Sequence, residues 1–545
     1  MHPSFRMNVL LALCLCCGSV SGQQAVAPSS LNGDLNSADS ADQNQSLGDL
    51  ARKVRKDPTT QVQMSAEDAK KLFNSVDKLI AFSSADTGFP QHSFVKRRLV
   101  GPEEVENFTR GQLAKEEYAQ RFARSELTMK KFGLLPRDFN LREFLVKANG
   151  KQVAGYYDEE SKSISLLNWI PLERQAPILA HELTHALQDQ NYNLQLWQSG
   201  GRETAQLAHA KGGSPEVEDD SVSARHAVVE GQATVVMIDY LLAPLGRTVQ
   251  NTPGLIYQME DPAVKGSYDS ELLHSAPMIL REAGIFPYRS GLIFEGELLA
   301  HGGKPMAFAG VFARPPRSTH EVLQPTAYIE DEKLPPVRIP NLQPLLTGKY
   351  EIYDSGSFGE LDVRGLLKQY GDRIVADDLA SAWRGGAYVA FHRTGKEAAS
   401  SENPTTADIA LVYVSRWKSA QTAERFAHLY AAAIGQRYQQ AADQPLESCA
   451  GAKCPVSAVQ VLTEEGPVVV TRWADSSVLV SESFDSATAA KLRDAVRESG
   501  AETQATNLRQ DELSLRLCAV PEFAAFQAQI GTELLREVEK NLEPH

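Results

Sequence analysis

Five consecutive residues, His181-Glu182-Leu183-Thr184-His185, constrain this chain more than any other part of it. Side chains four apart on an α-helix share one face, one turn apart. On the helix predicted over Leu172 to Gln190, His181 and His185 therefore aim both imidazoles at one point. That geometry suits a divalent cation, and the expected cofactor is one Zn2+ ion. Glu182 is offset by one position and enters the same cleft from the side. There a carboxylate takes the proton of a water that the ion has acidified, without itself becoming a ligand.

A catalytic zinc takes three protein ligands and leaves one position open. A third histidine at the metzincin position is excluded, because Asn191 stands there and Gln188 replaces the required glycine. Glu230 is the better third ligand. It sits in Ala227 to Leu242, a stretch apolar on nearly every side and so expected to be a buried helix. A lone buried carboxylate is costly unless a cation or hydrogen bonds compensate it. Gly231 beside it is expected to let this helix approach the first. His226, one turn before Glu230, is the alternative ligand or a proton donor. His209 falls in a polar loop, and Asp239 points to a different neighbourhood. Asp189, one turn after His185, either orients an imidazole or helps end the helix.

The 545-residue chain is too long for one hydrophobic core. Arg6 and the apolar run Met7 to Cys17 read as a signal peptide over 1–22, with Ser19, Ser21 and Gly22 offering cleavage. Export to the periplasm or beyond is the expectation. Lipidation is disfavoured, because Leu15 and Cys16, not small residues, precede Cys16 and Cys17. Residues 23–62 are a polar, disordered leader. Residues 63–330 form the domain that carries the motif, 331–349 a Pro-rich linker, and 350–545 a second, α+β domain without a catalytic constellation. Within the first, 152–168 reads as a β-hairpin. No later segment holds eighteen uninterrupted apolar residues, so no transmembrane segment is expected in the mature chain. The net charge of −14 comes with no basic stripe, which argues against nucleic-acid binding. Cys449 and Cys454 are the nearest cysteine pair of the mature chain, with Cys518 left over.

Several blocks resemble one family. Val153-Ala-Gly-Tyr-Tyr-Asp158, His181-Glu-Leu-Thr-His-Ala-Leu-Gln-Asp-Gln190, Val229-Glu-Gly-Gln-Ala233, Phe286-Pro-Tyr-Arg-Ser-Gly291 and Pro315-Pro-Arg-Ser-Thr319 are similar to blocks of the gluzincin branch of zincin metallopeptidases, and closer still to a poorly characterised group of exported bacterial proteins. The resemblance covers about 100–330 well and 350–485 more loosely. It implies a zincin-like α+β fold, mainly helical with a small sheet, and a hairpin strand able to pair with an extended peptide substrate. The chain departs from the pattern in having Leu323-Gln324-Pro325 where relatives have Leu-His-Pro, and His226 where an arginine is expected. His320 would have to replace the missing histidine.

The expected activity is hydrolysis of peptide bonds in a peptide or protein substrate. His181, His185 and Glu230 bind zinc and Glu182 is the general base. Tyr157 is the leading oxyanion donor, with Tyr156, Tyr288 and His320 behind it. The alternatives are a catalytically silent, zinc-stabilised scaffold and a hydrolase of a non-peptide amide.

Overall fold

The structure is a computed structural model describing residues 64–101, 116–144, 156–159, 161–168, 172–198, 218–258, 275–394, 404–445 and 455–499. The expected signal peptide and leader, His209, Val153 to Gly155, Cys449, Cys454 and Cys518 all lie outside these residues.

Helix α1 (Ala66–Thr87) starts where the Ser65 side chain accepts the Asp68 N–H, and ends at Gly88 in the left-handed region, φ 75°. Its Leu72, Val76, Leu79 and Ile80 face the first core. Strand β1 (Lys96–Val100) follows, then α2 (Glu116–Phe132) and the expected hairpin, β2 (Tyr156–Asp158) with β3 (Ser163–Leu167). β1 pairs parallel to β3, and β2 pairs antiparallel to its other side. The order β1-β3-β2 leaves β2 at an edge.

Three long helices complete this half: α3 (Leu172–Tyr192), α4 (Glu218–Leu242) and α5 (Met278–Pro305). α4 carries the apolar stretch and is buried from Ala227 to Asp239. By length and composition the helix over Asp220–Leu245 could cross a membrane, but here it is mostly buried in the core. α5 was not legible as a helix, because Pro287 and the glycines at 284, 291, 296, 302 and 303 mask its period. Gly303, at φ 64°, kinks it, and a π-helical turn follows at Met306–Gly310. The short α6 (Thr319–Leu323) leads on toward the second half.

That half begins with β4 (Tyr350–Ser357), α7 (Glu360–Tyr370) and α8 (Arg373–Ser381). It continues through β5 (Trp383–Arg393), β6 (Ile409–Trp417), α9 (Ala420–Arg437), β7 (Ala441–Gln444), β8 (Ser457–Thr463), β9 (Gly466–Arg472), β10 (Ser477–Glu482) and α10 (Ser486–Ser499). The strands form one sheet in the order β4-β5-β6-β10-β9-β8-β7. Its central strands read as unbroken apolar runs because both faces are covered. Tyr388, Leu411, Val470 and Val480 face a helical layer, while Val389, Val412, Val469 and Leu479 face the other way. Trp383 to Gly386 opens β5 through a bulge at Gly385, φ 145°.

The α+β class holds, but packing does not follow the expected domain boundaries. α2 lies within the expected 63–330 domain, yet Leu127, Met129 and Phe132 pack into the core of the second half. Phe132 stacks on Phe358 at 4.5 Å, and the buried Lys131 ammonium meets Glu465 at 2.8 Å and Ser483 Oγ at 2.6 Å. The 331–349 stretch is not a free linker either. Val337, Ile339, Leu342 and Leu346 are buried against the outer sheet face, so its prolines shape a strap.

Candidate metal centre

The four-residue spacing on α3 brings His181 and His185 together, with Nε2 atoms 3.1 Å apart. α4 crosses α3 and delivers Glu230, whose Oε2 lies 3.2 Å from His181 Nε2 and 3.5 Å from His185 Nε2. One donor atom from each residue falls within 4.8 Å of the other two, and all three residues are buried. These residues could hold a metal ion, and the donor set of two imidazoles and one carboxylate fits one. His226 shares the Glu230 face, its Nε2 3.8 Å from Oε1, so it borders the carboxylate on the side away from the histidine pair.

Burial pushes Glu230 up, but the neighbouring imidazoles win and hold it well below the usual carboxylate range. Burial lowers His181, which stays neutral despite Glu230. At His185 burial also pulls down, but the Glu230 and Glu182 charges lift it to about 9. Burial pushes Glu182 up to about 8, against the pull of His185 and of a backbone N–H.

That N–H belongs to Tyr157 and donates to Glu182 Oε2 at 3.0 Å. It points away from β3, along the outer edge of β2. The phenol of Tyr157, expected as an oxyanion donor, instead donates to Asp189 Oδ2 at 2.8 Å. Asp189 also pairs with Lys162 and accepts the Leu194 N–H, so it pins the hairpin and ends α3; it touches neither imidazole. The reason is register: Asp189 lies two turns past Glu182 on the face that meets β2.

Gln188 takes the orienting role. Its Nε2 donates to Val229 O at 3.1 Å and Gln232 Oε1 at 2.9 Å, which leaves Oε1 facing His185 Nδ1 at 2.9 Å. Nδ1 therefore carries a hydrogen, so Nε2 is the nitrogen that would ligate an ion once its own proton is displaced. Gln232 Nε2 continues the chain to the carbonyls of Ala307 and Phe308 in the π-helical turn. From the sequence, Gln188 stands out only as the residue at the metzincin glycine position, and Gln232 has no assigned role. Their signal was a polar residue repeated within otherwise apolar helical faces.

The remaining expectations fall elsewhere. Gly231 does not bring α4 to α3; it meets Gly291 of α5. His320 is not with the ligands. It is buried between the two halves with Nδ1 bonded to Glu360 of α7, whose other oxygen accepts from Gln324. Tyr288 is buried in the first core, and the Tyr156 side chain lies outside the described set. Asp239 serves a separate neighbourhood, as expected, accepting the Val249 N–H.

Residues 349–493 match a domain of unknown function, DUF8575. The match covers the seven-stranded sheet and most of its helices, and includes none of His181, Glu182, His185 and Glu230. No curated protein and no solved structure matches the chain.

Proposed function

We propose that this chain is an exported zinc-dependent peptidase of the gluzincin type, acting on a peptide or protein substrate. The observation that carries the reading is the convergence of His181 Nε2, His185 Nε2 and Glu230 Oε2, with Glu182 beside them at the edge of β2. The export component rests on the apolar N-terminal run.

Zinc, when bound, supplies Lewis acidity toward a carbonyl oxygen and acidifies water. The chain's own residues do the rest. His181 and His185 present neutral Nε2 lone pairs, Gln188 fixes the tautomer of the second, and Glu230 brings the compensating charge. Three protein donors leave one position open. Glu182 is the proton carrier, and its burial makes it a stronger base than an exposed carboxylate. An extended peptide that added to the outer edge of β2 would arrive directly against Glu182.

The scaffold reading has one observation in its favour. His181 and Glu182 are each only 1% exposed, as in a closed structural site. Metal analysis combined with cleavage of a peptide library separates the two. The peptidase reading expects one zinc per chain and metal-dependent cleavage. It expects Glu182→Gln to keep the zinc and lose cleavage by about 100-fold or more. Full zinc occupancy with no peptide cleaved, or an active Glu182→Gln variant, overturns it.

A further inference from the structure

A cavity of about 90 Å3 lies where the two halves meet, and none of its lining residues belongs to the metal centre. α2, α4, α5, α6, β4, α7 and β5 all contribute to its wall. Its wall carries three carboxyls, Asp220, Asp354 and Asp362, and Met129, Phe132 and Leu361 supply apolar surface. We propose that this cavity binds a small organic cation with an apolar body, such as a primary amine on a short alkyl or aromatic group.

The carboxyls are held by neutral donors. The Thr319 N–H and hydroxyl bind Asp220 at 3.0 and 2.6 Å. The Thr128 and Tyr388 hydroxyls bind Asp354 at 2.9 and 3.0 Å, and the Gly359 N–H binds Asp362 at 2.9 Å. These bonds fix orientation without cancelling charge. Among the described residues, no lysine, arginine or histidine lines the cavity. Arg124 acts on Asp354, and His320 and Glu360 act on Asp220, all from outside the lining. Burial pushes Asp220 up to about 6 and Asp362 up to about 7, with the Asp220 charge adding to the rise at Asp362. Gly359 makes the arrangement possible, since a β-carbon there would overlap the Asp220 carboxylate.

A mostly apolar cavity with a few oriented polar groups is the usual form of a small-molecule site. Every ionisable group among the described lining residues is acidic, so the complementary ligand is cationic. The apolar lining disfavours a bare hydrated ion and favours a hydrocarbon body. Asp220 and Ser223 stand on α4, the helix that carries Glu230 roughly 15 Å further along at 1.5 Å per residue. The inference does not rest on the metal reading.

The test uses the full chain, with calorimetry and thermal shift at matched ionic strength. The probes are benzylammonium and its neutral counterpart, benzyl alcohol. Saturable benzylammonium binding is expected, at least tenfold tighter than the alcohol. Asp354→Asn should weaken it tenfold or more. Ala283→Met, which fills the cavity and leaves the charges in place, should abolish it. If Asp354→Asn does not fold, Ala283→Met decides. No saturable binding, equal affinity for the alcohol, or unchanged binding in Ala283→Met overturns the proposal.

Discussion

Gly231 and Gly291 meet backbone to backbone where α4 packs along α5. A β-carbon on Gly231 would stand 2.9 Å from Gly291 Cα, and one on Gly291 would stand 3.2 Å from Gly231 Cα. Glu230 is the residue beside this contact, so the closeness of two helices sets where its carboxylate meets His181 and His185.

Gly231→Ala should therefore cost stability and metal affinity together. The added methyl meets backbone, which cannot rotate away, and overpacking of this kind costs about 1–3 kcal/mol or more. Chemical denaturation and zinc titration check it. A variant with wild-type stability and zinc affinity would show that the helices part without moving Glu230.

Gln188→Leu should lower zinc affinity by about 10–100-fold, the usual effect of losing an outer-sphere partner of a ligating histidine. It should also destabilise the fold by about 1–3 kcal/mol, because Val229 O and Gln232 Oε1 lose their donor. Gln188→Glu keeps the acceptor for His185 Nδ1 and should stay closer to wild type in affinity. Chelator competition measures both. Equal losses in the two variants would assign Gln188 to packing alone.

Stability should fall between about pH 4 and pH 7 through Asp239. Burial, with the charge of neighbouring Asp86, pushes its carboxyl up to about 7 from an ordinary 3.8. The fold thus holds a proton that the unfolded chain releases, and this contribution is complete below about pH 4 and lost as pH rises through 7. Lys304 offsets the pair from the Asp86 side. Asp239→Asn, which keeps an acceptor for the Val249 N–H, should flatten the decline. At pH 8 it should add on the order of 1–2 kcal/mol. Denaturation midpoints of both proteins at pH 5 and pH 8 test this, and an equal gap at the two values refutes it.

Glu295 should be dispensable, and its removal stabilising. It is 1% exposed, and neither carboxyl oxygen has a hydrogen-bond partner among the described residues. Burial raises its pKa, so its contribution is also lost with rising pH. Glu295→Leu should raise the melting temperature at pH 8 more than at pH 5. A lower melting temperature at both would mean the carboxyl has a role in the fold.

The DUF8575 segment should not fold alone. Residues 349–493 lack α2 and the start of α5, whose Leu127, Met129, Phe132, Ile279 and Leu280 complete its core. That fragment should bind a hydrophobic dye and melt without cooperativity, whereas the full chain should not bind the dye. A cooperative melt without dye binding would show the core to be self-sufficient.

The sequence by itself determined what depends on local spacing. The turn of an α-helix aligns His181 with His185 whatever surrounds them, and an apolar helix that carries Glu230 has to be buried. Alternation and turn residues likewise located the β2–β3 hairpin. Tertiary structure decided what depends on contacts between distant segments. That Gln188, and not Asp189, orients His185 follows from how α4 crosses α3. That Tyr157 serves Asp189, and His320 serves Glu360, follows from which element faces each side chain. The allegiance of α2 to the second core had the same origin: its apolar stripe reads alike against either partner, and only shape and the buried Lys131–Glu465 pair select one. Periodicity reports which face of an element is buried, not what buries it.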